Sequence, residues 1–465
     1  MKKEKKKIFV IVGAVVACLA VVYVGFGIFF QSHFCFGTTI DGIKAGGKSV
    51  EKVEQLITEE IDSYVLNLAE REDGSESISG ESIQIAPVFN GEVEELLNGQ
   101  NGFAWVVTLF KHDNLELAKV VTFDEDALDS QIDQLNCMQA SEQREPVDAT
   151  VSAYTADGYS LVPADYGTTI DKNTFKKAVE DSILVLADEL DLDEADCYVK
   201  PEIEDDNEKL LAVIDEMNSY VGTTITYDFD VAKEVLDGER ISEWLSVDDD
   251  LNLVVDEEGV LSFVKELASE YNTCYKPKEL KTSYGSTVTI SNGPYGWKIN
   301  NSEEVAQILD DLKAGKKVER EPVYAQTANS HGENDYGNSY VEINLTAQHL
   351  FLYKDGVLVT ESDFVSGNVA KGHATPGGAF MLTYKTLNAV LRGPDYETPV
   401  TYWMPFNGDI GMHDLTSRKA FGGDIYKTRG SHGCINLPYS AAKKIYETID
   451  KGYCVLVYNL PGTES

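Results

Sequence analysis

Arg429-Gly430-Ser431-His432-Gly433-Cys434-Ile435-Asn436 gathers the parts that a nucleophilic cysteine needs. Such a cysteine reacts as its thiolate, so it requires a depressed pKa or an adjacent base. The base needs a third group to orient it. Backbone N–H groups must aim at the oxyanion that develops. Gly433 has no Cβ, so the main chain there can turn sharply and approach a ligand closely. The Gly433 and Cys434 N–H groups are natural oxyanion donors. His413, in Gly411-Met412-His413-Asp414 on another expected strand, is the candidate base. A helix expected just beyond Pro438 adds a modest positive end nearby. A lone cysteine in a β-domain is usually a small buried hydrophobe. Cys454, in the apolar run Tyr453-Cys-Val-Leu-Val-Tyr458, fits that reading; Cys434, among Ser, His, Gly, Arg and Asn, does not.

Outward from this octapeptide, the chain from Tyr340 reads as short strands: YVEINLT (340–346), HLFLYKDGVLVTESDFVSG (349–367) and GAFMLTYKT (378–386). Lys354-Asp355-Gly356 is a hairpin signal between alternating runs. One late helix, SAAKKIYETI (440–449), is entered near Pro438. This predicts a mainly-β domain.

On these residues the last part of the chain, 340–460, resembles the catalytic domain of the L,D-transpeptidases. The family pattern is a His, a spacer, Ser/Thr-His-Gly-Cys, an apolar residue and Asn or Arg. Here 17 residues (414–430) separate His413 from Ser431-His432-Gly433-Cys434-Ile435-Asn436. The opening strands, INLTAQHLFLYKDG (343–356), and Thr375-Pro376-Gly377-Gly378 are similar to the family's opening as well. The resemblance implies Cys434 as nucleophile and His413 as general base, with Asp414 orienting His413 through its side chain or its backbone. It implies an oxyanion hole of the Gly433 and Cys434 N–H groups, with His432 assisting or serving as a structural hydrogen-bonding residue. Arg429 either holds a substrate carboxylate or braces the loop, and Ser431 supports the loop beside the substrate. Asn436 stands at the family's Asn position. Tyr402 and Trp403 either line the donor groove or belong to the core. No cofactor and no metal is expected.

The implied reaction is peptidoglycan L,D-transpeptidation. Cys434 attacks the carbonyl of the third residue of a tetrapeptide donor stem, the terminal D-Ala leaves, and the thioester passes to an acceptor amine in a 3→3 cross-link. With water as acceptor the enzyme is an L,D-carboxypeptidase instead. Carbapenems are implied inhibitors.

Upstream, the middle of the chain contains an internal repeat. Phe123-Asp-Glu-Asp126 parallels Val255-Asp-Glu-Glu258, and each is followed by a helical pattern and strand residues. Tyr166-Gly-Thr-Thr-Ile-Asp171 then parallels Tyr295-Gly-Trp-Lys-Ile-Asn300, with helices expected near Asn173 and Ser302. REPV occurs twice, at 144–147 and 320–323. These read as two α+β modules, 80–205 and 206–325, similar to the peptidoglycan-binding module of Gram-positive members; a spacer role is equally open. A strand–turn–helix segment at 31–79 precedes them, with Ser49 as helix N-cap. A polar linker (326–339) leads to the catalytic domain (340–465).

Met1–Lys7 is basic, and Ile8–Phe30 carries no charge, long enough to span a bilayer. The positive-inside rule puts residues 1–7 in the cytoplasm and the bulk outside, in a Gram-positive cell wall setting. No small-residue cleavage site follows the apolar run, so 8–30 reads as a retained single-pass anchor.

The 465 residues allow two to four domains. Net charge is −39, from 39 basic and 78 acidic residues, which opposes binding to nucleic acid. The seven cysteines form no CxxC and no Cys/His metal spacing, and the seven histidines no HExxH; His331-Gly332-Glu333 falls in the linker. A papain-like protease would carry its Cys early and its His far downstream, the reverse of the order here. A non-catalytic wall-binding scaffold is the remaining rival.

Overall fold

Ser49 starts the helix Val50–Asp62 as a helix start should: its hydroxyl accepts from the Lys52 N–H, and the helix buries Val53, Ile57 and Ile61 at a four-residue spacing. A computed structural model describes residues 2–117, 121–332, 334–393 and 397–464. Met1 of the basic tail, 118–120 of the first expected module, Glu333, and 394–396 with Ser465 of the catalytic domain lie outside the described residues. The chain divides into two compact units, 1–150 with 161–207, and 151–160 with 208–465.

In the first unit, Glu4–Phe29 is the one described helix long and apolar enough to cross a membrane, with a mean hydropathy of 2.8. The helix Lys172–Leu184 is capped by Asp171, whose carboxylate accepts from the Thr174 N–H, and it buries Phe175, Val179 and Ile183. These side chains share a core with Val53, Ile57, Leu66, Leu68 and Ile78.

In the second unit, the helices Glu208–Val221, Glu257–Tyr271 and Asn301–Lys313 pack around Tyr227, Phe229, Trp244, Val264 and Ile308. Asn300 caps the last of these helices as Asp171 caps its counterpart, each accepting from the N–H three residues on, and Asp256 and Asp124 are likewise N-caps. The sequence parallels thus mark helix starts. The expected polar linker, 326–339, is partly packed. Asp335 and Tyr336 are buried, because Lys278 pairs with Asp335 and Tyr336 joins an apolar cluster.

The described residues of the C-terminal domain form nine strands, numbered from its start: β1 (Tyr340–Asn344), β2 (His349–Lys354), β3 (Val357–Asp363), β4 (Gly378–Met381), β5 (Thr386–Arg392), β6 (Glu397–Asn407), β7 (Ile410–Asp414), β8 (Ile435–Leu437) and β9 (Cys454–Tyr458). One sheet has the order β3-β2-β1-β9-β4, the other β5-β6-β7-β8. Asp355 and Gly356 both take positive φ, which closes the β2–β3 hairpin where the sequence placed it. Val341, Leu350, Phe364, Met404, Phe406, Met412, Ile435 and Ile445 fill the core, the last from the helix Tyr439–Thr448.

Candidate active site

β7 and β8 run parallel, with Met412 opposite Ile435 and His413 opposite Asn436. This register brings the base candidate beside the end of the octapeptide, although 21 positions (434 − 413) separate His413 from Cys434. Cys434 immediately precedes β8.

His413 is 4% exposed. Its Nδ1 lies 2.9 Å from the Asp414 carbonyl oxygen. A carbonyl only accepts, so Nδ1 carries the hydrogen and Nε2 keeps the lone pair. Burial pushes the imidazole below its ordinary pKa, against the smaller opposing effects of the Asp414 carbonyl and charge. The Asp414 carboxylate itself is turned away from the imidazole's Nδ1: it accepts from the Thr401 and Tyr402 N–H groups, both at 2.8 Å, and so ties β7 to β6.

The Cys434 thiol donates to the Asp409 carbonyl at 3.5 Å. Its pKa is raised, first by burial and then by the Asp409 charge, while the Gly411 N–H works in the opposite direction. The sulfur therefore sits against the β6–β7 turn. Gly433 has φ +125, a conformation open to glycine. Its N–H donates to the Ser431 hydroxyl at 3.0 Å, and that hydroxyl donates to the Cys434 carbonyl at 2.6 Å. Of the two expected oxyanion donors, the Gly433 N–H is thus engaged within the loop. Among the described residues no acceptor takes the Cys434 N–H.

The Thr375 hydroxyl fixes the same peptide from behind. It donates to the Gly433 carbonyl at 2.7 Å and accepts from the Gly367 N–H at 3.0 Å. In a trans peptide the C=O and the following N–H point in opposite directions, so anchoring the Gly433 carbonyl on the buried side aims the Cys434 N–H the other way.

A cavity of 190 Å³ is lined by His413, Ser431, His432, Cys434 and Asn436, joined by Arg418, Leu415, Leu391 and Thr398. The Asn436 side-chain Oδ1 is buried beside it and has no hydrogen-bond partner among the described residues. The His432 ring lies 4.9 Å from that of His373. A larger cavity, 740 Å³, lies in the upstream module beside Lys298, Asn300 and Ser302, but it contains neither a cysteine nor a histidine.

Five expected site residues do not line the catalytic cavity: Asp414 and Gly433, which act on it through the contacts above, and Tyr402, Trp403 and Arg429. Tyr402 packs in the domain core beside Tyr439 and Tyr446. Trp403 is buried with its ring 5.9 Å from that of His413 and its Nε1 donating to the Tyr384 hydroxyl at 3.2 Å. Both are buried because β6 is covered on both faces, so strand alternation does not turn either outward. Arg429 does not line the cavity; its carbonyl accepts from Arg418 Nη2 at 3.0 Å. Arg418 is the guanidinium on the cavity wall, and sequence reasoning passed over it. Its Nε is buried without a partner, and it forms no ion pair among the described residues. Burial, and then the charge of Arg429, hold its pKa down. The only signal for it in the sequence was a basic side chain in the His-to-Cys spacer of a strongly acidic chain.

Residues 338–457 match the family described as "L,D-transpeptidase catalytic domain", and residues 206–320 the one described as "Putative peptidoglycan binding domain". Among solved structures, the chain is 33% identical to a Cys-to-Ser variant of an Enterococcus faecium L,D-transpeptidase, covering 53% of this chain and 99% of that one, at a TM-score of 0.44. The Ldtfm–avibactam carbamoyl enzyme is also 33% identical, over 54% of this chain and 98% of that one, at a TM-score of 0.44. The isolated E. faecium catalytic domain acylated by ertapenem is 43% identical, over 26% of this chain and 98% of that one, at a TM-score of 0.25. A comparison with curated proteins gave no match.

Proposed function

This chain belongs to the L,D-transpeptidase family, and on that premise we propose that Cys434 and His413 carry out peptidoglycan L,D-transpeptidation in the cavity they share. In the first half-reaction His413 Nε2 takes the thiol proton while the sulfur attacks the carbonyl carbon of the third stem residue. The oxyanion is received by the Cys434 N–H. Collapse breaks the C–N bond to the terminal D-Ala, whose nitrogen takes the proton back from His413, and a thioester remains. In the second half-reaction an acceptor amine attacks the thioester carbonyl and gives its proton to His413. The C–S bond breaks, and the proton returns to the sulfur. Both partners start neutral, so this is general-base catalysis on a thiol.

Arg418, rather than Arg429, presents its guanidinium to the donor and takes the terminal carboxylate of the stem. Among the described residues no carboxylate pairs with this guanidinium, and a substrate carboxylate matches it. The Asn436 Oδ1 is a ready acceptor for the amide N–H of the same leaving residue. The Lys2–Phe29 helix anchors the chain with its basic end in the cytoplasm, and the upstream module sets the catalytic domain at the wall.

The observation that carries this reading is the joint placement of Cys434, a neutral His413 with its Nε2 free of the Asp414 bond, and an unengaged Cys434 N–H. The test is intact-mass analysis of the full chain in detergent with ertapenem. One adduct per chain is expected, and none on Cys434→Ala. An unmodified wild-type chain would remove Cys434 as a working nucleophile. A muropeptide dimer joined from the donor's third-residue carbonyl to the acceptor's amine then separates cross-linking from trimming by water.

A further inference from the structure

The longest run of exposed large apolar side chains outside the Lys2–Phe29 helix, among the described residues, is Phe103-Ala-Trp-Val-Val-Thr-Leu-Phe110. Phe103, Val106, Val107, Leu109 and Phe110 are all exposed, Val107 at 61% and Phe110 at 89%. Soluble surfaces seldom leave such a contiguous patch open.

This run is fastened to the apolar helix. The Trp105 indole donates to the Tyr23 carbonyl at 3.1 Å, and the Tyr23 hydroxyl donates to the Phe103 carbonyl at 2.7 Å. Trp105 and Phe26 rings lie 4.9 Å apart. The backbones come close as well: a Cβ on Gly27 would meet the Phe103 ring, and one on Gly102 would lie 3.0 Å from the Gly27 and Phe30 carbonyl oxygens.

The level of these contacts is informative. Counting from Ile8 at about 1.5 Å per residue, a hydrocarbon core of about 30 Å ends near Gly27. Tyr23 and Gly27 therefore lie within the outer edge of that core, and Phe103 and Trp105 sit beside them. Trp and Tyr are the side chains that favour this depth, and Lys111, directly after the run, is exposed and paired with Asp113 at 2.7 Å. We propose that residues 103–110 insert into the outer interface of the lipid bilayer beside the Lys2–Phe29 helix, giving the chain a second membrane contact. This rests on the reading of that helix as a membrane anchor. The occupant is lipid because the patch continues the helix's own apolar surface.

The test uses the full chain in nanodiscs of phosphatidylglycerol and phosphatidylcholine containing a phospholipid with a diazirine on its acyl chain. After irradiation, peptides are mapped by mass spectrometry. Cross-links are expected on 103–110 at a yield within about threefold of that on 23–29. The double variant V107D/F110D should lower the yield on 103–110 by about fivefold or more while the helix keeps its own. Cross-links confined to the helix, with 103–110 recovered unmodified, overturn the inference and leave the anchor standing. A chain-to-chain adduct through 103–110 overturns it in favour of a second copy. Lipid adducts on neither segment remove the anchor reading and this one with it.

Discussion

His413 and Cys434 are both driven toward their neutral forms by burial, and the direction of that effect sets a pH dependence. The base works as free imidazole. A lowered imidazole pKa moves the acid limb of the acylation rate below the ordinary value of about 6.5. The raised thiol pKa keeps free thiolate scarce until well into the alkaline range. Stopped-flow acylation by ertapenem should therefore stay flat from about pH 6.5 to about pH 8 and fall only below that window. An acid limb above the ordinary imidazole value would mean that burial does not hold the His413 pKa down. Arg418 makes a second prediction at this scale. Wild-type chain should cleave a tetrapeptide stem with a free terminal carboxylate about 10–100-fold better in kcat/KM than the same stem ending in a carboxamide, because a charge-assisted bond is lost. In Arg418→Gln the two peptides should converge, and Arg418→Lys should keep part of the preference. Equal cleavage of both peptides by the wild type would discard the carboxylate contact while leaving the transpeptidase reading intact.

The catalytic loop is an element held from two sides. Residues 365–368 lie behind it: the Ser431 N–H donates to the Ser366 carbonyl, the Asn368 N–H to the Ser431 carbonyl, and Val365 pairs with Asn436. Thr375 closes the arrangement on the Gly433 carbonyl. Thr375→Val removes that donor from a buried carbonyl and frees the peptide whose N–H faces the oxyanion. It should lower kcat by about 10–100-fold with little change in KM, and Thr375→Ser should recover most of the loss. A parallel change in KM and kcat, or no recovery with serine, would make Thr375 a packing residue only. This element also shows what was readable in advance. The Lys354-Asp355-Gly356 hairpin, the cap at Ser49, the helix starts near Asn173 and Ser302 and the late helix after Pro438 are local, and their chemistry is written in neighbouring residues. The backing of the loop by 365–375 joins residues some sixty positions apart, and no local signal reports it. Tyr402 and Trp403 were ambiguous for a related reason: whether a strand aromatic faces a groove or a core depends on which elements cover its sheet. Arg418 lay in a spacer that the motif treats as of no fixed composition.

The module and the catalytic domain share an interior. Leu280 and Ile290 of the hairpin Lys278–Ile290 pack with Tyr295, Tyr336, Ala379, Cys454, Leu456 and Tyr458. The Tyr295 N–H donates to the Ala379 carbonyl at 3.1 Å. Glu342, fully buried, accepts from the Ser283 N–H at 2.9 Å and from the Tyr458 hydroxyl at 2.6 Å. Lys278 and Asp335, 4% and 2% exposed, pair at 2.6 Å, with the Thr273 hydroxyl on the same carboxylate oxygen. The aim of the active site relative to the module is set by these buried polar contacts, since an apolar cluster alone is tolerant of sliding. Asp335→Asn leaves the Lys278 ammonium buried without its counter-charge, a change that costs about 3–5 kcal/mol where one partner of a buried pair is removed. Hydrogen exchange on the full chain should then show the amides of the hairpin 278–290 and of β9 losing protection by the same increment, as parts of one cooperative unit. The double replacement Lys278→Met with Asp335→Leu removes both charges and should restore much of that protection. If only the hairpin loosened while β9 kept its protection, the two would open separately. The module would then be attached to the catalytic domain without fixing its position.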